Sequence, residues 1–160
     1  MRCLQCNSAD MKTAQENYLY DASGLPNVTL VGVEVSRCPN CGAHEVEIPR
    51  IEELHRVIAL AIATHAVHLD GPRIRFLRKW LGWSGVDFGA RMGVAPETVS
   101  RWETGASAMG TTAERLLRLM VQVGQPVENY SLDVASTATT EEPALLRLGS
   151  GPEGWHTEAA

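Results

Sequence analysis

The chain has 160 residues, 44% hydrophobic and 21% charged, with a net charge of −5. That composition calls for a packed globular core, as one ordinary domain or two small ones. The opening "MRCLQCNSADMKT" contains no apolar leader, and the longest apolar run, "VIALAIA" at 57–63, is far short of the ~20 residues a membrane-spanning helix needs. A soluble cytoplasmic protein is expected, in which thiols stay reduced and paired cysteines serve as metal ligands or redox groups.

The charge is unevenly placed. Residues 71–123 carry eight bases against four acids, residues 124–160 one arginine against six acids, and residues 1–70 five bases against nine acids. A basic middle between acidic flanks is compatible with a nucleic-acid partner, which the overall charge alone would disfavour.

Residues 1–50 read as a small β-rich unit. "NVTLVGVEVSR" predicts a strand, with Val31, Val33 and Val35 alternating towards a core. "DASGLPN" at 21–27 predicts a turn or loop, and "HEVEI" a short second strand. Residues 51–69 have helical spacing at Ile51, Leu54, Val57, Ile58, Ala61 and Ile62, with Leu60, Ala63 and Val67 on a second side. Such a connecting helix should be buried on more than one face, against its own chain or a second copy.

Residues 71–124 predict four short helices. Ser84 and Asp87 are placed to cap the second. Pro96 suits the start of the third and Gly105 its end. Thr111 and Glu114 predict a capping box on the fourth, with Gly124 as its stop. Residues 125–160 predict a mostly disordered acidic tail, in which the aromatic Trp155 has no assigned role. The expected fold class is α+β in two small domains: an N-terminal zinc-ribbon-like unit and a C-terminal all-α helix-turn-helix bundle.

Cys3 and Cys6 in "CLQC", with Cys38 and Cys41 in "CPNC", are the candidate metal ligands. Structural zinc takes four ligands in a tetrahedron, and two cysteines two residues apart can share the ion from one tight turn. The long gap between the pairs predicts a β-hairpin. A unit of 50 residues buries too little surface to be comfortably stable unaided, and zinc contributes roughly 10–16 kcal/mol of apparent binding energy in small peptides. "CPNCG" also resembles the rubredoxin iron knuckle, and four thiolates can hold either metal. Redox disulfides are disfavoured because no βαβ context surrounds the pairs. His44 reads as a surface histidine, and a closed four-cysteine site leaves no position for hydrolytic water. The chain is not expected to be an enzyme.

"WSGVDFGARMGVAPETVSRWETG" reads as helix, turn, helix, the pattern whose second helix enters the DNA major groove. Phe88, Met92, Val94, Val99 and Trp102 should pack the pair together, and Trp80 and Trp83 also read as core. The groove-facing side of the recognition helix then carries Glu97, Thr98, Ser100 and Arg101. Arg101 suits guanine O6 and N7, Glu97 a cytosine amino group, and Thr98 a thymine methyl or a phosphate. Arg78, Arg91 and the backbone amide at Ser84 are candidates for phosphate.

The two-CxxC unit, the connecting helix and the "VSRWETG"-type helix-turn-helix together resemble the MqsA-like (YgiT-type) antitoxins of bacterial toxin–antitoxin pairs. Residues 71–124 alone resemble the broad Xre/Cro family. The resemblance covers roughly residues 1–123. It implies zinc held by Cys3, Cys6, Cys38 and Cys41, a homodimer formed through the helical half, and repression of the protein's own operon at a palindromic operator in double-stranded DNA. It also implies that the zinc unit meets a cognate toxin. The sequence departs from both patterns. Gly85 stands where the superfamily often has a phosphate-binding glutamine, and Glu97 where the antitoxin family has a base-reading asparagine, while the arginine is kept as Arg101. A stand-alone zinc-containing regulator without a toxin is the alternative, and an iron electron carrier fused to a helical domain is a third.

Overall fold

A computed structural model describes residues 1–124 and 148–157. Strands β1 (Lys12–Leu19), β2 (Thr29–Arg37) and β3 (His44–Glu47) form an antiparallel sheet in that order. Five helices follow: α1 (Ile51–Thr64), α2 (Gly71–Trp80), α3 (Gly85–Met92), α4 (Pro96–Thr104) and α5 (Thr111–Val123). This is the α+β layout expected, with the sheet and the cysteines at one end and the helices at the other.

The expected alternation along β2 is broken. Glu16 pairs with Val33 but Tyr18 with Leu30, so Val31 and Gly32 together oppose the single residue Asn17. An extra residue in one strand forms a bulge and reverses which side chains point inward beyond it. Gly32 supplies the positive φ of 66° that the bulge needs, and its N–H donates to Asn17 Oδ1 at 3.3 Å. Val35 and Leu30 are therefore buried, whereas Val31 is 79% exposed. Beside it, β1 is an edge strand exposed along most of its length, with partial burial at Glu16 and Tyr18.

The segment between β1 and β2 does more than turn the chain. After a short 3₁₀ turn at Asp21–Ser23, Gly24 adopts a left-handed conformation and directs Leu25 into the interior. Tyr20, Leu25 and Leu30 join Ile58, Ala59 and Ala63 of α1 and Phe76 and Leu77 of α2 in one continuous core. Tyr20 Oη and His55 Nε2 share a hydrogen bond of 2.9 Å, and the His55 ring packs edge-on against Phe76. The sheet is thus fastened to the helices by apolar burial as well as by the chain.

α1 ends at Thr64, five residues short of the expected boundary. Arg118 on α5 accounts for this. Its Nη1 donates to the carbonyls of Ile62, Ala63 and His65, and its Nη2 to that of Val67, so carbonyls near the helix end and in the connection beyond are satisfied without another helical turn. The Glu114 carboxylate accepts from Arg118 Nε at 3.1 Å and Nη2 at 2.7 Å, which fixes the guanidinium. The capping box expected at Thr111 and Glu114 is consequently absent: Gly110 is the N-cap, and Glu114 is buried against Arg118 and His68. α1 buries Ile58, Ala59 and Ala63 but leaves Val57 exposed, so its apolar surface is only partly covered within the chain.

Residues 125–147 and 158–160, most of the expected disordered tail, lie outside the described residues. Between them, β4 (Leu148–Gly151) and β5 (Gly154–Thr157) form an antiparallel hairpin that pairs Ser150 with Trp155, whose side chain is 77% exposed.

Candidate metal centre and nucleic-acid interface

The four cysteine sulfurs lie within 4.8 Å of one another, with Cys3–Cys41 and Cys6–Cys38 each 3.6 Å apart. A covalent disulfide would bring two sulfurs to about 2.05 Å, so these are free thiols. Thiolates about 2.3 Å from a shared ion would form a tetrahedron with edges of about 3.8 Å, which is the spacing found. The donor set fits a bound metal ion.

Two matching turns build the site. In the first, the Asn7 N–H donates to the Cys3 carbonyl at 2.9 Å; in the second, the Gly42 N–H donates to the Cys38 carbonyl at 3.0 Å. Each of these residues follows the second cysteine of its pair and has positive φ, 51° at Asn7 and 75° at Gly42. Glycine and asparagine tolerate that conformation best, which explains both residue choices. β2 enters the second turn directly and β3 leaves it, while the Arg2–Asp10 bridge closes the first. Among the described residues the cluster consists of these four cysteines, and His44 instead stands beside the Tyr18 ring on β3.

The thiols are unlike one another. The Ser8 backbone amide, followed by the Asn40 side chain, pulls Cys6 down to about 6. Cys41 is pushed up to about 12: the Ala43 amide lowers it, but desolvation and the Cys38, Cys3 and Cys6 sulfurs outweigh that. Like charges this close oppose each other's ionisation, and a cation at the centre removes the conflict.

In the helical half, the expected packing of α3 on α4 is present. Phe88, Val99 and Trp102 are buried, and Met92 and Val94 pack partly buried against the same core. The Phe88 ring lies between Trp83 and Trp102, at centroid distances of 6.1 and 6.4 Å. α3 begins at a full capping box between Ser84 and Asp87, as the sequence predicts. Pro96 opens α4, and Gly105 closes it in a left-handed conformation. On α4, Glu97, Ser100 and Arg101 are exposed and Thr98 is half-buried, opposite the packed Val99 and Trp102.

Residues 74–120 match the helix-turn-helix family model. No curated protein matches the chain. The matched segment takes in α3, α4 and most of α2 and α5, and supports a DNA-binding transcription regulator. The described residues contain no helix long and apolar enough to cross a membrane.

Three candidate phosphate contacts have partners inside the fold. Arg78 is largely buried, donating through Nε and Nη2 to Glu103 and through Nη1 to the Trp83 carbonyl at 2.8 Å. The Ser84 N–H already donates to Asp87 Oδ2 at 3.1 Å. The Arg91 guanidinium lies 6.0 Å above the Trp83 ring centroid. Sequence reasoning missed Glu103, a residue of α4 held by both Arg75 and Arg78 of α2. Burial pushes its carboxyl up, and the two guanidiniums more than reverse that, leaving it below the ordinary glutamate value. Its signal is visible only in retrospect, as an acid whose neighbours Val99 and Trp102 face inward.

Two glycines set the helix spacing. A Cβ on Gly89 would lie 2.8 Å from the Val94 carbonyl oxygen, and one on Gly71 would overlap the Glu103 carbonyl. The turn between α3 and α4 folds tightly over Gly89, whose carbonyl accepts from Val94 N–H at 2.9 Å. Gly89→Ala is expected to force the two helices apart and cost about 1–3 kcal/mol, as overpacking does. Urea unfolding should show a lower midpoint with an unchanged slope.

Proposed function

We propose that the chain is a dimeric transcriptional repressor that reads a palindromic operator with α4 and neutralises a partner toxin through its metal-bearing sheet. The observation that carries the DNA reading is the division of α4 into a packed face, Val99 and Trp102, and an exposed polar face within a helix-turn-helix segment. In the major groove, Arg101 would make paired bonds to guanine O6 and N7, and Glu97 would accept from a cytosine amino group. Thr98 and Ser100 would approach a thymine methyl or a neighbouring phosphate. Arg91 would reach the backbone, whereas Arg78 acts indirectly, by holding α4 through Glu103. The Ser84 amide would meet phosphate only by giving up Asp87. Two such units in a dimer would address half-sites about 34 Å apart.

Zinc is the metal we assign to the four thiolates, in a structural role. Metal analysis on purified protein should find one zinc per chain and a colourless solution; a red, iron-loaded protein would overturn the assignment. For the toxin, the reading rests on the small sheet, whose edge strand β1 is exposed along most of its length. Co-expression with the adjacent reading frame should yield a stable complex, and its absence would leave a free-standing regulator.

Arg101→Ala tests the DNA reading. At fixed salt, affinity for the protein's own promoter should fall about ten- to a hundredfold, the range for losing one paired guanine contact. Unchanged affinity in a gel shift would remove Arg101 from base reading.

A further inference from the structure

Where the sheet meets the helices there is a cleft of about 280 Å³, walled by Ser23 and Gly24 on one side and by His55, Arg75, Lys79 and Trp80 on the other. Phe76 forms part of its floor, buried in the core. Arg75 and Lys79 are one helical turn apart on α2, so their cationic ends share one face. No carboxylate lines the cleft, although acids outnumber bases in the chain as a whole. Aromatic walls beside two cations favour an anion that carries a flat apolar body. The volume lies just below the usual range for small-molecule sites, which limits the occupant to about one ring with its charged group.

Arg75 also borders a second cavity, of about 250 Å³, formed with Ser84, Gly85, Val86 and Ser100 between α3 and α4. Its Nε donates to Glu103 Oε2 at 3.2 Å, and its side chain is half exposed. One arginine therefore borders both the cleft and the cavity beneath the recognition helix. Arg78 gives Glu103 a second, more buried partner, so Arg75 can be drawn off without leaving that carboxylate alone.

We infer that this cleft binds a small aromatic carboxylate, whose anionic group competes with Glu103 for Arg75. Such a ligand would loosen one of the two ion pairs that Glu103 makes between α2 and α4 and so alter how firmly the recognition helix is held. The inference does not depend on the toxin role, and its test contains no DNA, so its outcome is separate from that of the promoter assay.

The test is a titration of the full chain with benzoate, followed by amide and indole NMR shifts. Saturable changes are expected at Ser23, Gly24, Lys79 and the Trp80 indole, together with the Arg75 Nε–H. Inorganic phosphate, which lacks the ring, should bind the same group at least tenfold more weakly. Lys79→Glu replaces an exposed cation and should lower benzoate affinity at least tenfold while leaving the spectrum of the core unchanged. Non-saturating shifts, shifts scattered over the surface, or an affinity unaltered in Lys79→Glu would overturn the inference.

Discussion

Cys38→Ser is expected to abolish stoichiometric metal binding and to unfold the sheet, the largest effect of any single substitution in the chain. Cys38 is buried and its sulfur lies 3.6 Å from that of Cys6, so serine removes one corner of the tetrahedron without providing a comparable ligand. Structural zinc contributes on the order of 10–16 kcal/mol in small peptides, more than a three-stranded sheet can replace. The loss should also reach the helices, because Tyr20, Leu25 and Leu30 fill the same core as Ile58 and Phe76. Metal analysis and amide hydrogen exchange together check this: the variant should be metal-free, and protection should fall in β2 and also in α1. Full protection in α1 with the metal gone would show that the sheet's contribution to that core is dispensable.

Glu103→Gln is expected to lower stability by about 3 kcal/mol, the lower end of the range for breaking a buried ion pair. The cost arises mainly at Arg78, which would remain largely buried with neutral acceptors only, the amide oxygen at position 103 and the Trp83 carbonyl, and without a counter-charge. A loss of that size corresponds to a drop of about 10 °C in Tm for a body of this length. The pH dependence has a definite sign. Because the Glu103 carboxyl sits below the ordinary value of 4.5, its stabilisation is complete above that pH and declines as acid titrates it towards its lowered folded value. The wild-type protein should lose stability more steeply than Glu103→Gln below pH 4.5, and the two curves should run parallel near neutrality. Parallel curves throughout would show that Glu103 is not the titrating group.

The parts of the fold that the sequence made legible are those with local causes. Pro96, Gly105 and Gly124 fix helix ends through backbone geometry, Ser84 with Asp87 forms a cap within four residues, and the CxxC pairs announce a shared four-thiol cluster by spacing alone. What escaped depends on partners remote in sequence. The bulge at Gly32 is set by Asn17 on another strand, and the early end of α1 by Arg118, 54 positions beyond Thr64. β1 was hidden because "KTAQENYL" is polar and mostly exposed, so it shows no apolar period. Among the arginines, the same limit separates Arg101 from Arg78. Both are helical arginines in a basic segment, and only tertiary packing turns one outward to solvent and the other inward to Glu103.

The Tyr20–His55–Phe76 junction has a consequence for how this architecture can be altered. A metal-binding head joined to its helical body by a loose tether could be exchanged for another at little cost. Here the head inserts an aromatic ring and two leucines into the body, so a transplanted head would have to match their shapes. Sequence variation in the head is therefore freest away from this shared core, along the exposed edge strand β1. The residues nearest α1 and α2 answer to the body they are embedded in.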